Sequence, residues 1–218
     1  MASLDTIVRQ TGEEAQGMSK GAANRLIVGI SGASGVMLGV RVLDACRELG
    51  VESHLVVTKA AAMTLSDETD LSLAELNARA DVAHKVSDVG AAIASGSYRT
   101  LGMIVAPCSV RTMSEIATGV TSTLLTRAAD VVLKERRPLV LMVRETPLHL
   151  GHLRTMTSLA EMGATIAPPM PAFYTRPASV EEIVDQSVGR ALDLLGLDWS
   201  PVRRWGEDIG PPGGPKAD

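Results

Sequence analysis

Arg25-Leu26-Ile27-Val28-Gly29-Ile30-Ser31-Gly32-Ala33-Ser34-Gly35 runs from a short apolar segment straight into a turn of glycine, serine and alanine. An unbroken apolar run of this length predicts a buried strand over 26–30. A helix is expected from about 36 to 49. Further along, 54–57, 103–106, 138–143 and 164–167 read as four more strands. Helical spacing fills 109–118, 124–134, a stretch near 148–162, and 180–195. Strands alternating with helices predict an α/β domain with a parallel sheet covered on both faces. In such sheets ligands bind beyond the carboxyl ends of the strands, so the residues just after each strand are the first candidates for function.

The chain has 218 residues, with 45% hydrophobic and 21% charged, as one large soluble domain would. The expected organisation is a flexible arm over 1–24, a single domain over 25–206 and a flexible tail over 207–218. No apolar run reaches the roughly 18 residues of a membrane span, and the first residues lack the apolar segment of a secretory signal. Cys46 and Cys108 cannot build a disulfide framework, so a cytoplasmic protein is expected. A net charge of −4 and 2% aromatic residues argue against nucleic acid as a partner. With so few aromatics the core must be made of Val, Leu, Ile, Ala and Met. Phe173, Tyr174, Trp199 and Trp205 all come late, which suggests particular placements rather than volume filling.

At the first strand end, Gly32, Ala33, Ser34 and Gly35 form a small-residue loop leading into a helix. Glycines allow close backbone approach, and a helix start offers free N–H groups to a phosphate. The loop lacks the dinucleotide spacing, the lysine of a P-loop and the last glycine of a nucleophile elbow. Thr58, at the second strand end, could meet a ligand or cap the next helix. Ser109, Val110, Arg111 and Thr112 follow the third strand, with Ser109 either a cap or a ligand contact. Cys108 reads as a small buried thiol. Arg127 and Lys134 share one helical face and could present two cations to a phosphate. Arg144 and Glu145 stand together at the end of the fourth strand, where packing needs neither. His149 and His152 have metal-compatible spacing but no third ligand, so no metal site is expected. Tyr174 offers a hydroxyl and a π face, and Arg190 follows in the last helix.

These pieces, in this order, resemble the UbiX family of flavin prenyltransferases. The likeness rests on GISGASG at 29–35, PCS at 107–109, RAADVVLKERRPLVL at 127–141, RETPL at 144–148, PAFY at 171–174 and RWGE at 204–207. It implies a flavodoxin-like or Rossmann-like three-layer sandwich, assembled as a homododecamer with sites at subunit contacts. It implies transfer of a dimethylallyl group from dimethylallyl phosphate to N5 and C6 of reduced FMN, without a metal. The product, prenylated FMN, would serve a UbiD-type decarboxylase. Gly32, Ala33, Ser34, Thr58, Ser109, Val110, Arg111, Thr112 and Arg144 would then contact FMN. Tyr174 and Arg190 would hold the donor, with Arg127 and Lys134 reaching it from a neighbouring chain. Glu68 and Glu145 match carboxylates implicated in proton handling, and Ser34 would lie near the flavin ring edge.

The chain departs from the family pattern at a few points. The loop at 89–93 reads Val-Gly-Ala-Ala-Ile where the family commonly has an aromatic, and Arg111 replaces a small residue. The competing expectation is an FMN-binding carrier, or a decarboxylase partner subunit, without prenyl transfer.

Overall fold

The computed structural model describes residues 24–210. All but one residue of the 1–24 arm, and 211–218 of the tail, lie outside the described residues. Six strands form one parallel sheet: β1 Arg25–Ile30, β2 Glu52–Val57, β3 Val82–His84, β4 Gly102–Cys108, β5 Leu139–Val143 and β6 Thr165–Ile166. Their spatial order is β3-β2-β1-β4-β5-β6. This is the doubly wound order in which the winding reverses between β1 and β4. The α/β sandwich expected from the sequence is the observed fold.

Among the described residues, seven α-helices cover the two faces. Helices α1 Met37–Glu48, α2 Lys59–Glu68, α3 Leu73–Ala78 and α7 Val180–Asp193 pack on one, around Leu43, Leu65, Leu76 and Leu192. Helices α4 Val110–Ala117, α5 Leu124–Lys134 and α6 Leu150–Glu161 cover the other, around Met113, Leu125, Ala128 and Leu159. Strands β1, β4 and β5 are buried almost throughout, which is why their sequences are continuous apolar runs.

The sequence reading needs three corrections. It has no strand between 57 and 102, yet β3 pairs with β2 there from His54↔Val82 to Val56↔His84. This edge strand is three residues long and only partly buried, so it leaves no apolar run to read. The strand read as 103–106 continues through Pro107 and Cys108. Pro107 has no N–H to give the ladder, and the pairing of β4 with β5 shifts between Val105 and Cys108. Trp199, grouped with the specially placed aromatics, is 1% exposed and fills the core. The other late aromatics do stand out: Phe173 is 76% and Trp205 60% exposed.

Candidate active site at the sheet's switch point

The loops after β1 and β4 are joined by one side chain. The Ser31 hydroxyl donates to the Pro107 carbonyl at 3.0 Å and accepts from the Ser109 N–H at 2.8 Å. The Ser31 N–H also donates to the Pro107 carbonyl. Ser31 is buried, and the staple fixes the two loops at the point where the winding reverses.

Gly32 then passes tightly over α2. A Cβ placed on it would lie 2.3 Å from the Ala60 Cβ, so no larger residue fits without moving the helix. Thr58 caps that helix, its hydroxyl accepting from the Ala61 N–H at 3.1 Å. Ser109 caps α4 by accepting from the Thr112 N–H. The capping reading and the ligand reading of Thr58 and Ser109 are compatible, because both residues also line one cleft.

That cleft has a volume of about 280 Å³ and lies beyond the carboxyl ends of β1, β2 and β4. Gly32, Thr58, Ser109, Arg111 and Thr112 line it with Ser122 and Thr123, which depart from the family pattern, and with residues not singled out from the sequence: Lys59, Val86, Ser87 and Thr126. Thr123 and Thr126 cap α5 reciprocally at its floor. Val86 and Ser87 follow the unexpected strand β3, which is why no sequence signal pointed to them. Arg111, 84% exposed at its side chain, reaches Glu115 across one turn at 2.9 Å. The cleft combines a helix start, hydroxyls, two cations and the apolar side chains of Val86 and Leu125. This set suits an anionic phosphate joined to a flat apolar ring. Its volume is just below the roughly 300–1,000 Å³ of small-molecule sites.

A second group gathers at the start of α1. Glu68, from the end of α2, accepts from the Gly35 N–H at 2.9 Å and the Val36 N–H at 2.9 Å. Partial burial opposes its charge. The Ser34 hydroxyl, the Val36 and Gly35 amides and the Arg144 guanidinium outweigh that and hold its carboxyl below the usual range. Arg144, Glu68 and Ser34 therefore form a group of their own, and neither they nor Ala33 and Val110 line the cleft. Among the described residues Glu145 accepts one hydrogen bond, from the Thr146 N–H, and is otherwise exposed. Cys108 is buried and its thiol is pushed up to about 12 by burial, as an inert thiol would be.

The remaining candidates lie apart. Tyr174 sits in a short 3-10 turn, 43% exposed, edge-to-face with Trp205 at 5.7 Å. Trp205 was part of a quoted motif but carried no assigned role. Arg190 pairs with Asp193 on α7 and borders a cavity of about 180 Å³ beyond β5 and β6. Arg127 pairs with Asp130 near the start of α5. Lys134 ends α5 and pairs with Glu135, roughly 13 Å along the axis from the cleft-lining residues at its start. Within one chain Lys134 and the cleft therefore lie at opposite ends of the strands. His149 and His152 stack at 3.6 Å, with His149 Nδ1 accepting from the His152 N–H as a helix cap.

An α/β sheet wound in this order, with a phosphate-ready cleft at its switch point, defines a nucleotide-type cofactor-binding protein. The model of the family described as Flavoprotein matches residues 14–192. The flavin prenyltransferase UbiX of Escherichia coli K12 is 61% identical over 174 residues, 79% of this chain and 92% of that protein. The UbiX of Thauera aromatica is 53% identical over 181 residues, 83% of this chain and 93% of its own. Among solved structures, AnUbiX (PadA1) in complex with FMN and dimethylallyl pyrophosphate superposes with a TM-score of 0.82. It is 50% identical and covers 83% of this chain and 96% of its own. The dodecameric FMN-dependent UbiX-like decarboxylase from E. coli O157:H7 gives 0.81, with 50% identity over 83% of this chain and 98% of its own. The chain belongs to the flavoprotein family and, within it, to the UbiX flavin prenyltransferases.

Proposed function

We propose that the chain joins a dimethylallyl group to N5 and C6 of reduced FMN, with the switch-point cleft as its flavin site. The observation that carries this reading is the cleft itself. Small residues, a capped helix start and two cations meet at the one place where a doubly wound sheet opens, in a chain 61% identical to a flavin prenyltransferase.

Gly32, Ala33, Ser34, Thr58, Ser109, Val110, Arg111, Thr112 and Arg144 would hold FMN. Reduced FMN supplies the nucleophilic ring to which the allyl group is joined. Tyr174 and Arg190 would hold the donor's phosphate, with Arg127 and Lys134 contributed by a neighbouring chain. Cations and a phenol hydroxyl around a departing phosphate stabilise the charge that develops as the allylic bond breaks. The Tyr174 ring and its Trp205 partner offer π faces to an allylic cation. Of the two carboxylates, Glu145 is the better placed to take a proton, since its other oxygen is open. Glu68 is occupied by two backbone amides and Ser34, which favours a role in shaping the loop.

Assembly follows from the same geometry. A cleft of this size holds part of a flavin nucleotide, and Lys134 is distant from it. Leu150 and Leu153 on α6, with Met170 and Phe173, leave an apolar face that a second copy would cover. A homododecamer fits these needs and the dodecameric relative. Two buried free cysteines fit the reducing cytoplasm, and among the described residues no helix is long and apolar enough to cross a membrane. The product's recipient would be a UbiD-type decarboxylase.

The test is anaerobic incubation of the protein with reduced FMN and either dimethylallyl phosphate or the pyrophosphate. A flavin heavier by one dimethylallyl unit supports the reading. Unchanged FMN with both donors would overturn it and leave a carrier.

A further inference from the structure

Away from every residue assigned above, two histidines meet inside the sheet. His54 in β2 is 2% exposed, and its Nδ1 lies 3.0 Å from Nε2 of His84 at the end of β3. The rings stack at 5.3 Å. His54 Nε2 lies 3.0 Å from the Glu52 carboxylate and 3.1 Å from the Tyr98 hydroxyl. A carboxylate only accepts, so His54 Nε2 carries the proton. A neutral His54 then accepts at Nδ1, and His84 donates from Nε2.

The charged surroundings are equally defined. Arg25 of β1 pairs with Glu52 at 2.9 Å and lies over the Tyr98 ring. Asp81, just before β3, is held by the Ser53 N–H and hydroxyl, and Asp88 follows β3. Arg137 donates to the Tyr98 carbonyl, and Arg99 is next to Tyr98 in the chain. Helix α5 contributes the apolar Leu125, Ala128 and Val132 to the cluster on this face. Burial holds both imidazoles below the usual histidine value.

We propose that the His54–His84 pair is a pH-sensitive latch that holds β3, and with it the cleft wall at Val86 and Ser87, against β2. One proton on His84 Nδ1 leaves the hydrogen bond intact. A second, on His54 Nδ1, sets two N–H donors and two positive charges against each other at 3.0 Å. Edge strand β3 is three residues long and pairs only with β2, so it is the element that gives way. Val86 is tied onward by its carbonyl, which accepts from the Leu124 N–H at 2.8 Å, and by its side chain against the apolar cluster under α5. The wall therefore loosens in acid while β1 and β4 stay closed.

The experiment is amide hydrogen exchange of the full-length, ligand-free chain from about pH 8 to about 5.5, corrected for intrinsic exchange. Protection over 82–91 should fall by up to about a hundredfold per pH unit below the histidine range of about 6.5, since opening lets both lowered imidazoles take up protons. Amides of β1 and β4 should not follow. His84→Gln leaves only His54 to titrate and can turn its carboxamide oxygen toward a protonated Nδ1, so the slope should fall to about tenfold per pH unit or less. Flat protection in the native chain, a slope shared with β1 and β4, or a slope undiminished in His84→Gln would each overturn the latch. Should His84→Gln fail to fold, imidazole ¹⁵N spectra of the native protein decide. His54 should stay neutral with its proton on Nε2 until protection falls, whereas two imidazoles titrating independently without loss of protection would sink the idea.

Discussion

Ser31 has one hydroxyl, and both of its hydrogen bonds cross from the β1 loop to the β4 loop. Ser31→Ala would leave the buried Pro107 carbonyl and the Ser109 N–H without their hydroxyl partner. The expected cost is about 1–3 kcal/mol of stability, with weaker flavin binding, both readable by urea unfolding and flavin titration. A stability change confined to a few tenths of a kcal/mol would mean the loops are fixed by other contacts. At Tyr174 the expectation is kinetic. Tyr174→Phe keeps the edge-to-face contact with Trp205 but removes the hydroxyl. Turnover should fall by tenfold or more, a loss of about 1.4 kcal/mol of transition-state stabilisation, while the chain stays as stable as before. Unchanged turnover would remove the hydroxyl from the donor site.

Among the elements, α1 owes its start to a side chain from another helix. Val36, at its N-cap, offers no side-chain cap, and Glu68 accepts the first amides instead. The Glu68 carboxyl is lowered in the folded chain, so its contribution is present above the ordinary value of about 4.3 and is lost as pH falls through the lowered one. Glu68→Gln should cost about 1 kcal/mol at neutral pH, and the gap to the native chain should close in acid unfolding series. A gap independent of pH would assign the loss to packing. The strap formed by residues 199–205, after α7, makes a second elemental contact. A Cβ on Gly189 of α7 would lie 1.7 Å from Val202 Cγ2, so Gly189→Ala must push the strap outward. About 1–3 kcal/mol should be lost, with a red shift of tryptophan emission as Trp199 opens to water. Because the strap ends in Trp205, flavin transfer should suffer as well.

For the whole molecule, the candidate residues occupy several places on one chain, and assembly is what can unite them. Lys134→Ala and Tyr174→Phe subunits, each weak alone, should recover activity when refolded together, because a mixed contact can hold one intact copy of each residue. No recovery would put both residues in the same subunit's site. Leu150→Glu with Leu153→Lys should lower the mass measured by light scattering without unfolding the chain, since both positions are exposed in the single subunit.

The apolar runs of β1, β4 and β5 are legible because strands buried on both faces have no polar alternation. The caps Thr58 and Ser109 are legible because hydroxyls at strand ends have few other uses. The motifs at 29–35, 107–109 and 144–148 carry the family in the order of their residues. Those features are local, and the sequence by itself determined them, together with the class of chemistry they imply. Strand β3 and the cleft wall behind it were not legible, since a half-buried edge of three residues owes its pairing to β2 rather than to its own pattern. The Ser31 staple, the Glu68 cap on α1 and the His54–His84 pair each join residues at least thirty positions apart. Only the tertiary structure decided these, because the free energy of such contacts depends on which strands the winding order brings side by side, and no local pattern records that order.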